Sequence, residues 1–564
     1  MDDPILKSYL REFAQEHGLS SEKETDIFEY FSAYCIMHRD FSEYTELEDV
    51  IVAGAHDSGI DAVGMFLNDI HVTARPQVEE ISSRHRMDVD FCFIQSKTSR
   101  NLNAAEIGSF IQGVKEFFGT GYMPVNEDIA DKRDLSKHIF DLSVKFRGKP
   151  KLHIYYCYAG NFKNDKHITS RVKAGVDELK SLRLFSEVDF HFIDSDSLQK
   201  RYQEVNLRVE REVSMNEFAS LPQITGIRQA YLGLLPCFEL IKLLSNSDGK
   251  LHKAIFNENV RDFLNRNPVN DEIAETIASN DHQSRLPALN NGITIVARSV
   301  SLVGKKFTLA DYQIVNGCQT SNIIFRNRNK LFDETVVPIK IVEVEDRDII
   351  NEIVRATNRQ TEVKDEAFVV LGEFHKKLER FFLSVDVSEQ KKVVYERRKR
   401  QYSDTKYSPR NIVTLTSLTN SVVSCCFGNP VDAMDYYGVL LKKYKDRIFK
   451  DGQSMWPYLV SAKILKELES LYTGKGKKDI WKFRFILSAI VREGFGKLPP
   501  LNDDRAQARY AEAALKIIDD DYEFPKVVLA AEKKLAGAIK RQTKDFDRRN
   551  AHQNRKFVAS LLSP

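Results

Sequence analysis

Two strand-like runs constrain the first third of the chain: GIDAVGMFLND at residues 59 to 69 and DVDFCFIQSKTS at 88 to 99. Each is apolar through its middle and polar toward its ends. A strand turns alternate side chains to one face, so Gln95 and Lys97 project together while Ile94 and Ser96 project to the other face. Antiparallel pairing of IDAVGMFL with DFCFIQS would lay the start of the first strand beside the end of the second. Asp61 then sits next to Gln95 and Lys97.

That juxtaposition has a chemistry. An Asp carboxylate, a Gln carbonyl oxygen and a backbone carbonyl, that of Ser96, make a hard, oxygen-only partial shell. Such a shell suits magnesium or manganese, with water and a substrate phosphate filling the remaining positions. Lys97 is the residue type to hold or deprotonate an attacking water, because burial and a nearby cation both lower an ammonium pKa. The expected reaction is hydrolysis of a phosphodiester. The bland alternative is a structural ion pair between Asp61 and Lys97 at a sheet end.

The surrounding order bears on the choice. Residues 1 to about 45 have the helical period, with Ile27, Phe28, Phe31, Tyr34, Cys35 and Ile36 on one face. Strand-like runs follow at VIVAG (50 to 54), IDAVGMFL and DFCFIQS, and the charged EEISSRHRMDVD between the last two reads as an insertion or extended hairpin. AEIGSFIQGVKEFF (105 to 118) returns to helical period. KLHIYYCYAG (151 to 160), RVKAGVDELK (171 to 180) and VDFHFID (188 to 194) then read as strand, helix and strand, which fits an α/β layer.

Gly59-Ile60-Asp61 followed by Gln95-Ser96-Lys97, between a Glu-bearing helix and a second helix, resembles the Mrr-like branch of the PD-(D/E)XK nuclease superfamily. The resemblance implies a restriction-endonuclease-like domain, a mixed sheet flanked by helices, in which Gln95 replaces the usual second carboxylate. It also implies that Glu29, in DIFEYFSAY, approaches the metal from the first helix.

At 564 residues the chain is too long for one core and is expected to form three or four folding units. Residues 200 to 285 read as mostly helical. Mixed segments follow at 288 to 304, 311 to 325 and 336 to 346, and helical period prevails from about 410, broken by the polar loop TGKGKKD at 473 to 479. Asn291-Gly292 and Asn316-Gly317 each read as a type I′ hairpin turn, which needs positive φ at both central residues. Asn290, Asn291, Asn316, Gln319, Thr320, Asn358 and Gln360 supply amides and a hydroxyl able to bind a ligand or to satisfy buried backbone.

The series NENVRDFL (257 to 264), NNGITIVA (290 to 297), IVNGCQTSNII (314 to 324), ATNRQTEVKDEAF (356 to 368) and YERRKRQY (395 to 402) resembles the AIPR family, the abortive-infection phage-resistance proteins of bacteria. The implied organisation is a nuclease domain at 1–205, a helical connector at 206–285, an α+β AIPR core at 286–410 and a helical region at 411–564.

With 83 basic and 81 acidic residues, attraction of a polyanion must come from local patches. Arg397, Arg398, Lys399 and Arg400, set between Tyr395 and Tyr402, form one such patch, since arginines grip phosphates and tyrosines stack on bases. No apolar run reaches the ~18 residues a membrane span needs, YLGLLPCFELIKLL being broken by Pro236, Glu239 and Lys242. The seven cysteines show no C-x-x-C pair and read as reduced thiols. The expectation is a cytoplasmic, homodimeric, magnesium- or manganese-dependent nuclease acting on nucleic acid, DNA in the first instance, in phage defence under a phage-derived trigger or partner protein. The rival is a non-catalytic nucleic-acid-binding or phage-sensing protein with a degenerate nuclease fold.

Overall fold

The computed structural model describes residues 3–41, 45–54, 57–84, 86–119, 125–162, 165–206, 210–246, 248–252, 255–256, 276–277, 283–344, 346, 349–350, 352–353, 356, 373–385, 391–397, 401–402 and 407–562. The chain is mixed α/β and divides into two compact units. One joins Met1–Tyr34, Tyr44–Gln199 and Phe368–Pro564, and the other joins Cys35–Glu43 and Lys200–Ala367.

The first unit opens with α1 (Pro4–His17) and α2 (Glu24–Ile36). The expected single helix is therefore two. Asp3 caps α1 by accepting from the Ile5 and Leu6 N–H groups, and Gly18, at φ +68°, ends it. A short α3 (Leu47–Val50) leads through a tight turn to β1 (Ala62–Leu67), β2 (Ile70–His71), α4 (Arg75–Arg84) and β3 (Val89–Lys97). Then come α5 (Ala104–Phe118), α6 (Glu127–Asp141), β4 (Lys151–Tyr158), α7 (Lys166–Ser181), β5 (Glu187–Ile193) and α8 (Ser195–Asn206), whose residues from Lys200 on belong to the second unit. The sheet runs β2-β1-β3-β4-β5. β1 is antiparallel to β3, while β3, β4 and β5 are parallel.

Parallel strands linked by helices are covered on both faces, which is why β3 is continuously apolar from Phe91 to Ile94 rather than alternating there. Phe91 and Phe93 are fully buried beneath Phe117 and Phe118 of α5, with the Phe93 and Phe117 rings 4.9 Å apart. Two local expectations change. Residues 50 to 54 are not a strand: the segment follows α3 and pairs only through the isolated Ile51–Ala62 bridge. The EEISSRHRMDVD segment contributes the end of α4 and the start of β3, where an insertion or hairpin was expected.

The second unit contains β6 (Glu210–Ser214), β7 (Glu217–Ser220), β8 (Gln229–Pro236), α9 (Cys237–Leu244), α10 (Leu286–Leu289), β9 (Ile293–Val303), β10 (Lys306–Asn316), α11 (Cys318–Arg326) and β11 (Val336–Glu343). Its sheet runs β6-β10-β9-β11-β8-β7. The expected helical connector at 206–285 is thus corrected: three strands occupy its first part. β6 and β7 are short, polar edge strands without apolar alternation, so only their neighbours dictate their state. The two Asn-Gly pairs are also corrected. Gly292 and Gly317 both take φ +83°, but neither Asn291 nor Asn316 has positive φ. Asn291-Gly292 leads from α10 into β9 and Asn316-Gly317 leads from β10 into α11, while the β9–β10 hairpin turns at Gly304-Lys305.

The remaining elements of the first unit are α12 (Glu373–Ser384), β12 (Val394–Glu396), β13 (Ile412–Thr414), α13 (Leu415–Cys425), α14 (Tyr437–Lys443), α15 (Trp456–Tyr472), α16 (Lys478–Trp481), α17 (Arg484–Gly494), α18 (Asp504–Ile518), α19 (Glu523–Lys540) and α20 (Arg555–Leu561). The helical period expected beyond 410 is present. This region shares a compact unit with the first sheet rather than standing apart. Asp49, at the end of α3, accepts from Trp481 Nε1 at 2.7 Å and from Arg484 Nη2 at 3.0 Å. Burial alone would raise the Asp49 carboxyl, but Arg484 holds it below its usual range. All seven cysteines are free thiols, six of them buried. No helix among the described residues is long and apolar enough to cross a membrane.

Asp49→Ala leaves Arg484 and Trp481 without their buried acceptor. Breaking a buried pair from one side costs about 3 to 5 kcal/mol. Thermal and denaturant unfolding of the variant are expected to show a loss near that size, and a loss below ~1 kcal/mol would contradict the anchoring role.

Candidate functional site

The register of β1 on β3 pairs Ala62 with Ile94 and Val63 with Phe93. Asp61 continues that ladder by one residue. Its backbone N–H donates to the Ile94 carbonyl at 2.9 Å, and its carboxylate Oδ2 accepts from the Ser96 N–H at 2.6 Å. The side chain has taken over where the strand backbone stops. Asp61 is 7% exposed and Gln95 3%.

The turn before Asp61 makes room for this. Asp57 accepts from the Gly59 N–H through its side chain and from the Ile60 N–H through its carbonyl. Ser58 and Gly59 both adopt positive φ, +57° and +72°. A Cβ on Gly59 would lie 3.0 Å from Gln95 Nε2, so glycine there admits the amide as well as the backbone conformation. Gln95 Oε1 and Ser96 Oγ are buried with no hydrogen-bond partner. A buried carbonyl oxygen without a donor is uncommon and calls for an explanation.

Glu29 approaches from α2. Its carboxylate forms an ion pair with Lys475, a residue of the α15–α16 loop, and Lys475 Nζ also lies 3.3 Å from Asp26 one turn earlier on α2. Burial pushes the Asp61 carboxyl up to about 8, reinforced by the negative charge of Glu29 and opposed by the Ser96 N–H and by Lys97. Burial likewise raises Glu29, against the pull of Lys475. Burial works against the Lys475 ammonium, but Glu29 and Asp61 hold it above its ordinary range.

The structure therefore brings Asp61, Gln95, Ser96, Lys97 and Glu29 into one neighbourhood. Among the described residues, no three His, Cys, Asp or Glu side chains form a ready metal cage. Two carboxylates are present here, and an amide oxygen would have to make up the set. The donors are nevertheless those of a hard cation: both carboxyls resist ionising in the absence of a counter-charge, and Gln95 Oε1 has no other bond. Ser96 points its N–H toward Asp61, and in a strand its carbonyl faces the same side. Lys475 and Asp26 were not singled out from the sequence. The TGKGKKD loop offered a cluster of lysines, but nothing local indicates what they face.

A family model described as AIPR protein matches residues 256–546. The chain belongs to the AIPR family. That membership associates it with abortive infection and phage defence. No curated protein and no solved structure matched the chain.

The family-like motifs of this AIPR protein have a structural account. Asn290 donates from Nδ2 to Thr320 Oγ1 at 2.8 Å and accepts from the Gly292 N–H at 2.9 Å. Asn316 accepts from the Gly317 N–H at 2.8 Å. A Cβ on Gly317 would lie 2.7 Å from the Gly292 carbonyl oxygen, so the two glycine junctions pack against each other. Asn290, Asn316 and Thr320 thus serve backbone and side-chain neighbours at the β10–α11 corner. Asn291 is exposed and Gln319 half-buried beside them. Asn358 and Gln360 lie outside the described residues, as do Arg398, Lys399 and Arg400. Arg397 is corrected: its guanidinium is 6% exposed and paired with Glu379 at 2.8 Å, so it is not presented to a nucleic acid. Tyr395 is fully buried, its hydroxyl 2.7 Å from His375 Nδ1, and cannot stack on a base.

Because Asp61 keeps its proton in the folded state to about pH 8 but loses it near 4 when unfolded, the folded state binds more protons between those values. Stability conferred by that retained proton is complete at low pH and lost as pH rises through about 8, with a slope approaching ~1.4 kcal/mol per pH unit. In chelator, the thermal midpoint of wild type is expected to fall from pH 5 to 8 relative to Asp61→Asn, which mimics the protonated acid. Parallel curves would show that Asp61 is ionised throughout.

Proposed function

We propose that this AIPR protein is a metal-dependent nuclease that hydrolyses phosphodiester bonds of nucleic acid, DNA in the first instance, in defence against phage. One observation carries the reading: Gln95, whose side-chain oxygen is buried without a partner, directly precedes the Ser96 N–H that binds buried Asp61, and Asp61 and the nearby Glu29 are both reluctant to ionise alone. The order of elements also supports it. A Glu-bearing helix, Asp61 just before β1, β3 closing at Gln95-Ser96-Lys97, then α5 and the parallel β4 is the arrangement implied by the likeness to Mrr-like PD-(D/E)XK nucleases.

Asp61, Glu29, the Gln95 side-chain oxygen and the Ser96 carbonyl would hold magnesium or manganese. When bound, the ion would polarise a scissile phosphate and acidify a coordinated water. Lys97 follows Gln95 on the same face of β3, near enough to favour ionisation of both Asp61 and Glu29. Its role is to orient or deprotonate the attacking water. Ser96, through its N–H, fixes the Asp61 carboxylate. Cleavage of both strands of a duplex calls for two sites, which a symmetric dimer would supply.

A second reading, a nucleic-acid-binding or phage-sensing protein that no longer cuts, draws on the occupation of Glu29 by Lys475. Incubation of the full chain with supercoiled plasmid, linear DNA and RNA in magnesium or manganese separates the two. Wild type is expected to cut at least one substrate, and Lys97→Ala to lose ~10²–10⁴-fold in rate, the range a general acid–base group contributes. Asp61→Asn should be similarly impaired. Wild type and variants equally inert on every substrate would refute the nuclease reading.

A further inference from the structure

The α15–α16 loop reaches α2 closely. Gly474 adopts φ +103°, and a Cβ there would lie 2.4 Å from Glu22 Oε1, so only glycine fits without displacement. The next residue, Lys475, pairs with Glu29 and lies 3.3 Å from Asp26. This is not an ordinary solvated pair: the Lys475 and Glu29 side chains are 21% and 14% exposed, against 68% and 56% for Lys526 and Glu523 on α19. The loop is tied down on both sides. Tyr472 donates to Glu532 at 2.7 Å and the Thr473 hydroxyl to the Glu469 carbonyl at 2.8 Å, while Trp481 and Arg484 hold Asp49 beyond it.

On the reading of the site as a divalent-metal centre, we propose that Lys475 is its resident counter-cation and that a divalent ion must displace the ammonium from Glu29 to bind. The α15–α16 loop is then a brake built into the chain. An ammonium and a dication sharing one half-buried carboxylate repel strongly, because the protein screens them far less than water does. Their occupancies are mutually exclusive or nearly so. Release of the brake requires the Lys475 ammonium to swing away from Glu29.

Calorimetric titration of the metal-free full chain with Mn²⁺, for wild type, Lys475→Met and Lys475→Arg, tests this. Lys475→Met, which keeps the length and removes the charge, is expected to bind Mn²⁺ at least ~10-fold more tightly, and Lys475→Arg to bind like wild type. Plasmid cleavage at subsaturating Mn²⁺ should rise in the same variant. Lys475→Gln repeats the measurement should the methionine variant not fold. Equal or weaker Mn²⁺ binding by the uncharged variants overturns the brake while leaving the metal site standing, provided Asp61→Asn abolishes the binding. If no variant binds Mn²⁺ in a manner sensitive to Asp61→Asn, the metal site and the brake fall together.

Discussion

The bond from the Ser96 N–H to the Asp61 carboxylate is the interaction on which the site depends. The β1–β3 register starts at Ala62, the Asp61 N–H extends it by one bond to the Ile94 carbonyl, and the Asp61 carboxylate then replaces the next backbone acceptor. A side chain doing the work of a strand cannot rotate freely. Asp61 is fixed against β3, and everything that faces it is fixed by β3 as well. Because Gln95 and Lys97 share a face of that strand, register sets their distance from Asp61. A slip of one residue would put Ile94 and Ser96 side chains there instead.

The Ser96 N–H favours the ionised carboxylate, but burial makes that ionisation expensive, and the rest of the unit responds to the cost. Burial and Glu29 oppose the charge on Asp61, while Lys97 and Lys475 favour it. The second of these ammoniums comes from the helical region far along the chain. The same region reaches Asp49 through Trp481 and Arg484 and Asp131 through Lys482. The helices beyond residue 410 are thus continuous with the site in electrostatic terms.

Much of this was legible in the sequence where the cause is local. Period-2 alternation and the apolar run at 91 to 94 gave the pairing of β1 with β3 and hence the meeting of Asp61 with Gln95. Of the helical face that the spacing of Ile107, Phe110, Ile111, Val114, Phe117 and Phe118 implies, all but Phe118 are buried, and Phe118 is half-buried. Where the cause is distant, reading failed. β6 and β7 have no apolar signature and exist because β10 and β8 offer them edges. The Asn-Gly pairs signalled positive φ correctly for the glycines, but the same dipeptide serves a strand–helix corner as well as a hairpin. Arg397 looked like a phosphate ligand because Glu379, eighteen residues earlier, gave no sign of being its partner. Lys475 was one lysine among several in a polar loop.

The amide at position 95 follows from the same electrostatics. A carboxylate there would add a negative charge near Asp61 and Glu29, where burial already raises both. Like charges crowded at low dielectric drive protonation rather than ionisation. An amide supplies an oxygen of similar reach without adding to that repulsion. Its cost is an unpaired buried carbonyl whenever no cation is near, which is the state of Gln95 Oε1. Asp61 and Glu29 are balanced by the two ammoniums of Lys97 and Lys475, whereas a third buried carboxylate would exceed them. Gln95 and Lys475 thus answer one constraint, the crowding of buried carboxyls: the first adds an oxygen without charge, the second an ammonium.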